Sequence, residues 1–447
     1  MAKVGFVSLG CPKNRVDTEV MLGLLAGSGH EISPRREEAE IIVVNTCGFI
    51  ESARQESVDT ILEMAQQKVW GKCRRLIVAG CLVERYRREI RKEIPEVDAV
   101  IGTHEIPRIL ELCGNLDLQT TPPPSYEPRE LYLYSDSDPR ILTTPSHLAY
   151  IKIAEGCDHP CTFCVIPQMR GRFRSRPLDS VIVEAERLAA QGVKELILVG
   201  QDTTMYGWDH GNRQGLAQLI RKLGAVDGIE WVRFLYAYPN HVYPELLDAI
   251  AETEKACNYI DVPIQHVSSP VLKGMKRGGN PRTLNRLISK IRDRVPGVAI
   301  RTTLIVGFPG ETHEDFEALV EFVEAARFDR LGVFTYSDEE HAASRELGGK
   351  VREEVKLERQ SRLMGLQSEI SREKNHDLLG KTVPVMLEGV SEESELLWQG
   401  RLSTQAPEID GVVYLTDGVT KDTRTGEIRQ VRIIESHDYD LVGEVVA

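Results

Sequence analysis

Ten short apolar runs rich in valine and isoleucine punctuate the first three quarters of this 447-residue chain, and helix-period stretches lie between most of them. This alternation constrains the fold more than any other feature, because strand, helix and strand in succession read as a parallel sheet with helices packed on its faces. The runs fall into two sets. The first lies at 3–9, 41–45, 76–79 and 97–101, with helical periodicity at about 15–28, 50–67 and 83–94. It predicts a parallel α/β domain over 1–118. The second lies at 150–154, 195–200, 231–237, 259–262, 300–306 and 331–336, with helices at about 178–191, 213–224, 244–256, 281–294 and 313–326. A closed parallel barrel has eight β/α units, so six predict a partial (β/α)6 barrel, here over 143–375.

Between the sets, residues 119–142 carry Thr121-Pro-Pro-Pro-Ser-Tyr-Glu-Pro128 and read as a partly extended linker with little core. After the barrel, 350–378 read as a charged helix with Val351, Val355, Leu363, Leu366 and Ile370 roughly on one face. The remainder alternates in period two between Gly, Asp and Ser turns. It predicts a small antiparallel β-barrel over 376–447.

The chemistry-bearing residues are cysteines. Cys157, Cys161 and Cys164 stand in Gly156-Cys-Asp-His-Pro-Cys-Thr-Phe-Cys164, just after the first barrel strand. The strand ends of such a barrel form its mouth, where chemistry is usually housed. Three thiolates serve a cubane of four irons and leave one iron open. A structural zinc site wants four ligands, and a second cysteine hook is missing nearby, although His159 could serve as a fourth. A disulfide would leave one cysteine over. Cys11, Cys47 and Cys81 each follow a strand of the first set. The carboxyl ends of parallel strands share one edge, so the three should converge, while Cys73 and Cys113 do not share this placement. Small buried hydrophobes are the competing reading; three on one edge favour a second cluster.

Hydrophobic residues make up 41% and charged residues 28%, as in soluble globular chains. No uninterrupted apolar run approaches membrane-spanning length, and the first residues read as a strand rather than a signal peptide. Nine cysteines, few and odd in number, fit a reducing cytoplasm. The net charge of −13 argues against broad attraction to nucleic acid.

The Cys157 loop and the six β/α units resemble the radical S-adenosylmethionine enzymes. The whole chain is similar to the methylthiotransferases of that group, which join a three-cysteine α/β domain, a radical barrel and a terminal TRAM barrel. The carriers are Ser8-Leu-Gly-Cys-Pro-Lys-Asn14, Asn45-Thr-Cys-Gly-Phe-Ile50, Gly156 to Gly171 and Asp261-Val-Pro-Ile-Gln-His266. They resemble the branch that modifies a ribosomal protein. Relatives acting on transfer RNA typically read Gly-Cys-Gln-Met-Asn at the first cysteine.

The resemblance implies that Cys157, Cys161 and Cys164 bind one [4Fe-4S] cluster and that Cys11, Cys47 and Cys81 bind an auxiliary [4Fe-4S] cluster. S-adenosylmethionine is implied twice, as methyl donor and as radical source. The product is an aspartate of ribosomal protein S-twelve methylthiolated at its β-carbon, with a flavodoxin or ferredoxin as reductant. At the strand tips, Gln201 or Asp202 could accept from the methionyl amine, against a plain surface loop; Arg301 could meet a carboxylate or ribose, against a structural ion pair; and Gly307 in Gly307-Phe-Pro-Gly-Glu311 permits close approach to a nucleoside. Gln265 ends the fourth strand beside His266, which reads as a core histidine; Arg170, Arg172, Arg174 and Arg176 are left unassigned. TRAM domains often bind RNA, but residues 381–447 hold six Lys and Arg against thirteen Asp and Glu. That balance repels phosphate and favours a basic protein partner. The alternatives are a transfer RNA adenosine methylthiotransferase and a non-catalytic electron carrier.

Overall fold

The computed structural model describes residues 2–114, 131–420 and 422–446. Its first sheet contains β1 (Lys3–Ser8), β2 (Glu31–Ile32), β3 (Ile41–Thr46), β4 (Arg75–Gly80) and β5 (Ala99–Ile101) in the order β2-β1-β3-β4-β5, all parallel. Strands β3 and β4 are buried along their whole length, which is why they read as continuous apolar runs rather than alternating ones. Helix α1 (Pro12–Gly27) starts directly after Cys11, and another helix starts at Cys81.

The central unit holds β6 (Leu148–Lys152), the short antiparallel pair β7 (Ala154–Glu155) and β8 (Arg174–Ser175), then β9 (Glu195–Val199), β10 (Trp231–Phe234), β11 (Tyr259–Asp261), β12 (Ala299–Val306) and β13 (Arg330–Thr335). Strands β6, β9 and β10 form one parallel sheet, and β11, β12 and β13 a second. The two are stitched by a parallel bridge between Val232 and Ala256 and by the Ala237 N–H donating to Asp261 O at 2.8 Å. Six strands in sequence order thus make the partial barrel, and its helices share one apolar core with the strands. The Cys157 loop lies between β7 and β8.

The helix Glu353–His376 leads to a closed barrel of β14 (Thr382–Val390), β15 (Trp398–Arg401), β16 (Val413–Asp417), β17 (Ile428–Ser436) and β18 (Leu441–Val445). All its pairs are antiparallel except β16 with β18. The exception is obligatory, since an odd number of strands cannot close with every neighbour antiparallel. Periodicity alone marks three of these strands and misses β15 and β18.

The linker expected at 119–142 lies outside the described residues as far as 130. Beyond that it differs from the expectation of little core. Tyr134 is buried, its hydroxyl donating to Glu184 Oε2 at 3.0 Å, and Arg140 is shared between Glu19 and Glu184 at 2.5 and 2.8 Å. These anchors have no period, so no pattern announces them. Among the described residues no helix is long and apolar enough to cross a membrane.

The terminal barrel is fastened to the central unit through fully buried Glu195, which accepts from Arg233 at 2.9 Å and from Arg401 at 2.5 Å. Glu195→Gln should therefore leave buried Arg233 without a carboxylate partner, while Arg401 keeps Glu388 at 2.6 Å, and lower stability by about 3 kcal/mol. A denaturant midpoint equal to that of the unaltered chain would show that this carboxylate does not hold the barrel.

Candidate functional site

All three members of the first-domain triad sit at strand-to-helix junctions. Cys11 is the N-cap of α1, Cys81 opens its helix and Cys47 follows β3, so two of the three thiols face the positive end of a helix. The turn before Cys11 needs Gly10. Its φ is +86°, and a β-carbon there would stand 2.9 Å from Cys47 Cβ, so the glycine lets the Cys11 and Cys47 loops touch. Gly156 acts similarly for the barrel triad. It holds φ +85°, any side chain would collide with Arg172 O, and the Cys157 N–H donates to Gly171 O at 3.1 Å.

Cys11, Cys47, Cys81, Cys157, Cys161 and Cys164 all line one cavity of about 1080 Å³ between the first domain and the barrel mouth. Cys73, Cys113 and Cys257 do not line it. Burial pushes the Cys81 and Cys164 thiols up to about 12 and Cys157 up to about 11, and it also raises Cys47. Such thiols stay protonated until a metal displaces the proton and supplies the missing charge. The donor set is sulfur alone, three per group. His159 does not complete a zinc site, because its Nε2 lies 2.6 Å from Asp202 Oδ2 and its ring stacks on Tyr238 at 3.8 Å. Two all-thiolate triads with room between them fit iron–sulfur clusters. The cavity wall also offers Gln201 Oε1 and Gln265 Oε1, buried acceptors with no partner among the described residues. Gln265 is held at φ +69°, a conformation that costs a non-glycine residue energy.

Of the five residues expected to meet S-adenosylmethionine, Gln201, Gln265 and Arg301 line this cavity. Arg301 arrives already paired to Asp261 at 2.8 Å. Asp202 and Gly307 do not line it. Asp202 is buried beneath the Cys157 loop, where it accepts from His159, His241 at 3.1 Å and the Thr204 N–H at 2.9 Å; despite burial these donors hold its carboxyl down at about 2. Gly307 gives its N–H to Glu311, and the Lys356 stem fills the space beside it. His266 is a core residue whose Nδ1 accepts from the Ser268 N–H at 3.0 Å.

The arginines after the cysteine loop separate. Arg172 is exposed, Arg176 is buried against Glu184, and Arg170 is buried at the domain junction. Arg170 binds Asp17 at 2.7 Å, Glu155 at 3.2 Å, Asn14 Oδ1, and Cys81 Sγ at 3.2 Å. Arg277 donates to Pro263 O at 2.6 Å, faces Cys161 Sγ at 3.7 Å and covers the Tyr238 ring. Sequence reasoning missed Arg170, Arg277, Lys13 and Tyr236 as cavity residues. Lys13 and Arg170 lay inside motifs that could have flagged them.

Family models divide the chain in the same three places: an uncharacterized family, UPF0004, over 3–102, the radical SAM superfamily over 151–323 and a TRAM domain over 379–446. The chain is 57% identical over 447 residues to the "Ribosomal protein uS12 methylthiotransferase RimO" of Solibacter usitatus, covering 100% of this chain and 95% of the relative. The chain belongs to the RimO family. The protein of that name from Koribacter versatilis is 51% identical over 99% of this chain and 96% of its own length, and that from Geobacter sulfurreducens 48% over 100% and 99%. Among solved structures, the radical S-adenosylmethionine methyltransferase TsrM from Kitasatospora setae shares the fold, with a TM-score of 0.55 at 18% identity over 75% of each chain. RimO-family membership accords with the three-part architecture.

Asp202 grips His159 inside the cluster loop, so Asp202→Ala should lower the iron retained after anaerobic reconstitution. Full iron content with weakened S-adenosylmethionine binding would instead make Asp202 a cofactor contact.

Proposed function

We propose that this chain is a methylthiotransferase that modifies the β-carbon of an aspartate in ribosomal protein uS12, using S-adenosylmethionine and two [4Fe-4S] clusters. One observation carries the reading: two cysteine triads, from two separate folding units, open into the same cavity. Bound to these triads, the clusters and S-adenosylmethionine would supply reductive sulfonium cleavage, hydrogen abstraction from an unactivated carbon and a sulfur donor.

The chain's own residues do the rest. Cys157, Cys161 and Cys164 hold one cluster at the barrel mouth, and Cys11, Cys47 and Cys81 hold the other opposite it. Gln201 and Gln265 offer acceptors to the donors of S-adenosylmethionine, and Arg301 borders the same wall. The Arg170 network closes the junction so that the reactive centre is shielded from water.

The terminal barrel supports a protein substrate over an RNA one. Several of its carboxylates are spent internally, as in Glu388 with Arg401 and Asp410 with Tyr259, but Glu392, Glu393, Glu395 and Asp417 face outward. An acidic exterior suits a basic ribosomal protein and repels transfer RNA. The reading places the protein in the cytoplasm with a flavodoxin or ferredoxin as electron donor.

Mass spectrometry of uS12 from cells with and without the gene tests the reading. A methylthio increment should be present only with the gene; an unchanged uS12 alongside loss of a methylthioadenosine from transfer RNA would overturn it. In the purified protein, Cys161→Ala should abolish 5′-deoxyadenosine formation. Cys47→Ala should still form it but yield no methylthiolated product, and retained product would end the auxiliary role of the Cys11 group.

A further inference from the structure

Five cationic side chains reach the cavity: Lys13, Arg170, Arg277, Arg301 and Lys356. Three are neutralised within the chain. Arg170 pairs with Asp17 and Glu155, Arg301 with Asp261, and Lys356 with Glu353. Arg277 has no carboxylate partner among the described residues, but its guanidinium is committed to Pro263 O, the Tyr238 ring and the edge of Cys161.

Lys13 is different. It crosses from the first turn of α1 to the tip of barrel strand β9, where its ammonium donates to Gly200 O at 3.4 Å and lies 3.5 Å above the Tyr236 ring centroid. No carboxylate of the described residues is within ion-pair distance, and the residue is only 9% exposed. An ammonium has three N–H donors; one long bond to a carbonyl and one ring face leave it under-satisfied. A buried charge in that condition calls for an anion. The place is apt, because Lys13 stands two residues from Cys11 while its head touches the barrel rim that carries Gln201.

We propose that Lys13 receives the side-chain carboxylate of the substrate aspartate and so selects an acidic residue for modification. This deepens the function proposed above and rests on it. The reacting β-carbon is bonded directly to that carboxyl carbon, so an anchored carboxylate fixes the β-carbon in the space shared by the two triads. A charge-assisted bond also discriminates by type, since the amide of asparagine brings no charge to the ammonium.

The competing role for Lys13 is to offset the Cys11 thiolate. The two roles separate in one experiment on reconstituted holoenzyme without S-adenosylmethionine. A peptide spanning the uS12 target loop, with Asp or with Asn at the modified position, is titrated and followed by calorimetry. The unaltered protein should bind the Asp peptide on the order of tenfold more tightly than the Asn peptide. Lys13→Met and Lys13→Gln should bind the two alike, and Lys13→Arg should keep the preference. Iron content and the EPR midpoint potential of each centre are measured on the same samples. The inference is overturned if Lys13→Met keeps the Asp preference, or if its only change is a shifted potential or iron content of the Cys11 centre. If the unaltered protein binds neither peptide and uS12 carries no methylthio increment in cells, the proposed function fails and the inference falls with it. If uS12 is modified and Lys13→Met still discriminates, the inference alone fails.

Discussion

The structure turns on four buried charges at the junction of the first domain and the barrel. Asp17 on α1 meets Lys152 at the end of β6 and Arg170 beyond the cysteine loop, and Glu155 of β7 meets the same two cations. Burial alone would push the Glu155 carboxyl up, but Lys152 and Arg170 overcome it and hold it below the usual range. The set is neutral overall, which is the condition under which buried charges are tolerated; removing one member would strand its partners at a cost of about 3–5 kcal/mol. Glu339 gives a second clamp, binding Arg85 at 3.2 Å, Arg54 and the Glu51 N–H at 3.0 Å. The two groups together fix the first domain on the barrel.

That fixed placement is what makes the chemistry intelligible. Neither triad would be a complete reaction centre by itself, and each is presented by loops anchored at strand ends. The Cys157 loop is tied down further: Thr162 donates its N–H to Met275 O at 3.1 Å and its hydroxyl to Gly274 O at 2.8 Å. Arg170 belongs to both systems, closing the domain junction and touching Cys81 Sγ. Docking of the domains and placement of the auxiliary site are therefore a single event.

Much of this was legible in the order of residues. The strands at 41–45 and 76–79 announce themselves because both faces are buried, and Cys47 and Cys81 after them, with Cys11 after the run at 3–9, could be placed on one edge by topology alone. Contacts that depend on the third dimension were not. Nothing in Lys-Asn-Arg-Val-Asp-Thr-Glu distinguishes an exposed polar helix start from one sealed under another domain, yet Lys13, Asn14, Asp17 and Glu19 are all buried. Asp202 illustrates the limit at the site itself. A carboxylate at the tip of a barrel strand reads as a ligand group, but two histidines from separate elements capture it behind the loop. Arg170 could not be told from Arg172 because their difference lies in which one finds Asp17 and Glu155.

The central claim is that the two triads hold clusters that face each other across one cavity. The direct test is the EPR spectrum of the fully reconstituted, reduced protein set beside those of Cys47→Ala and Cys161→Ala. Two centres facing across this cavity should broaden and split each other by dipolar coupling, giving a spectrum that neither variant shows. A spectrum equal to the sum of the two variants' signals would place the clusters apart and contradict the account.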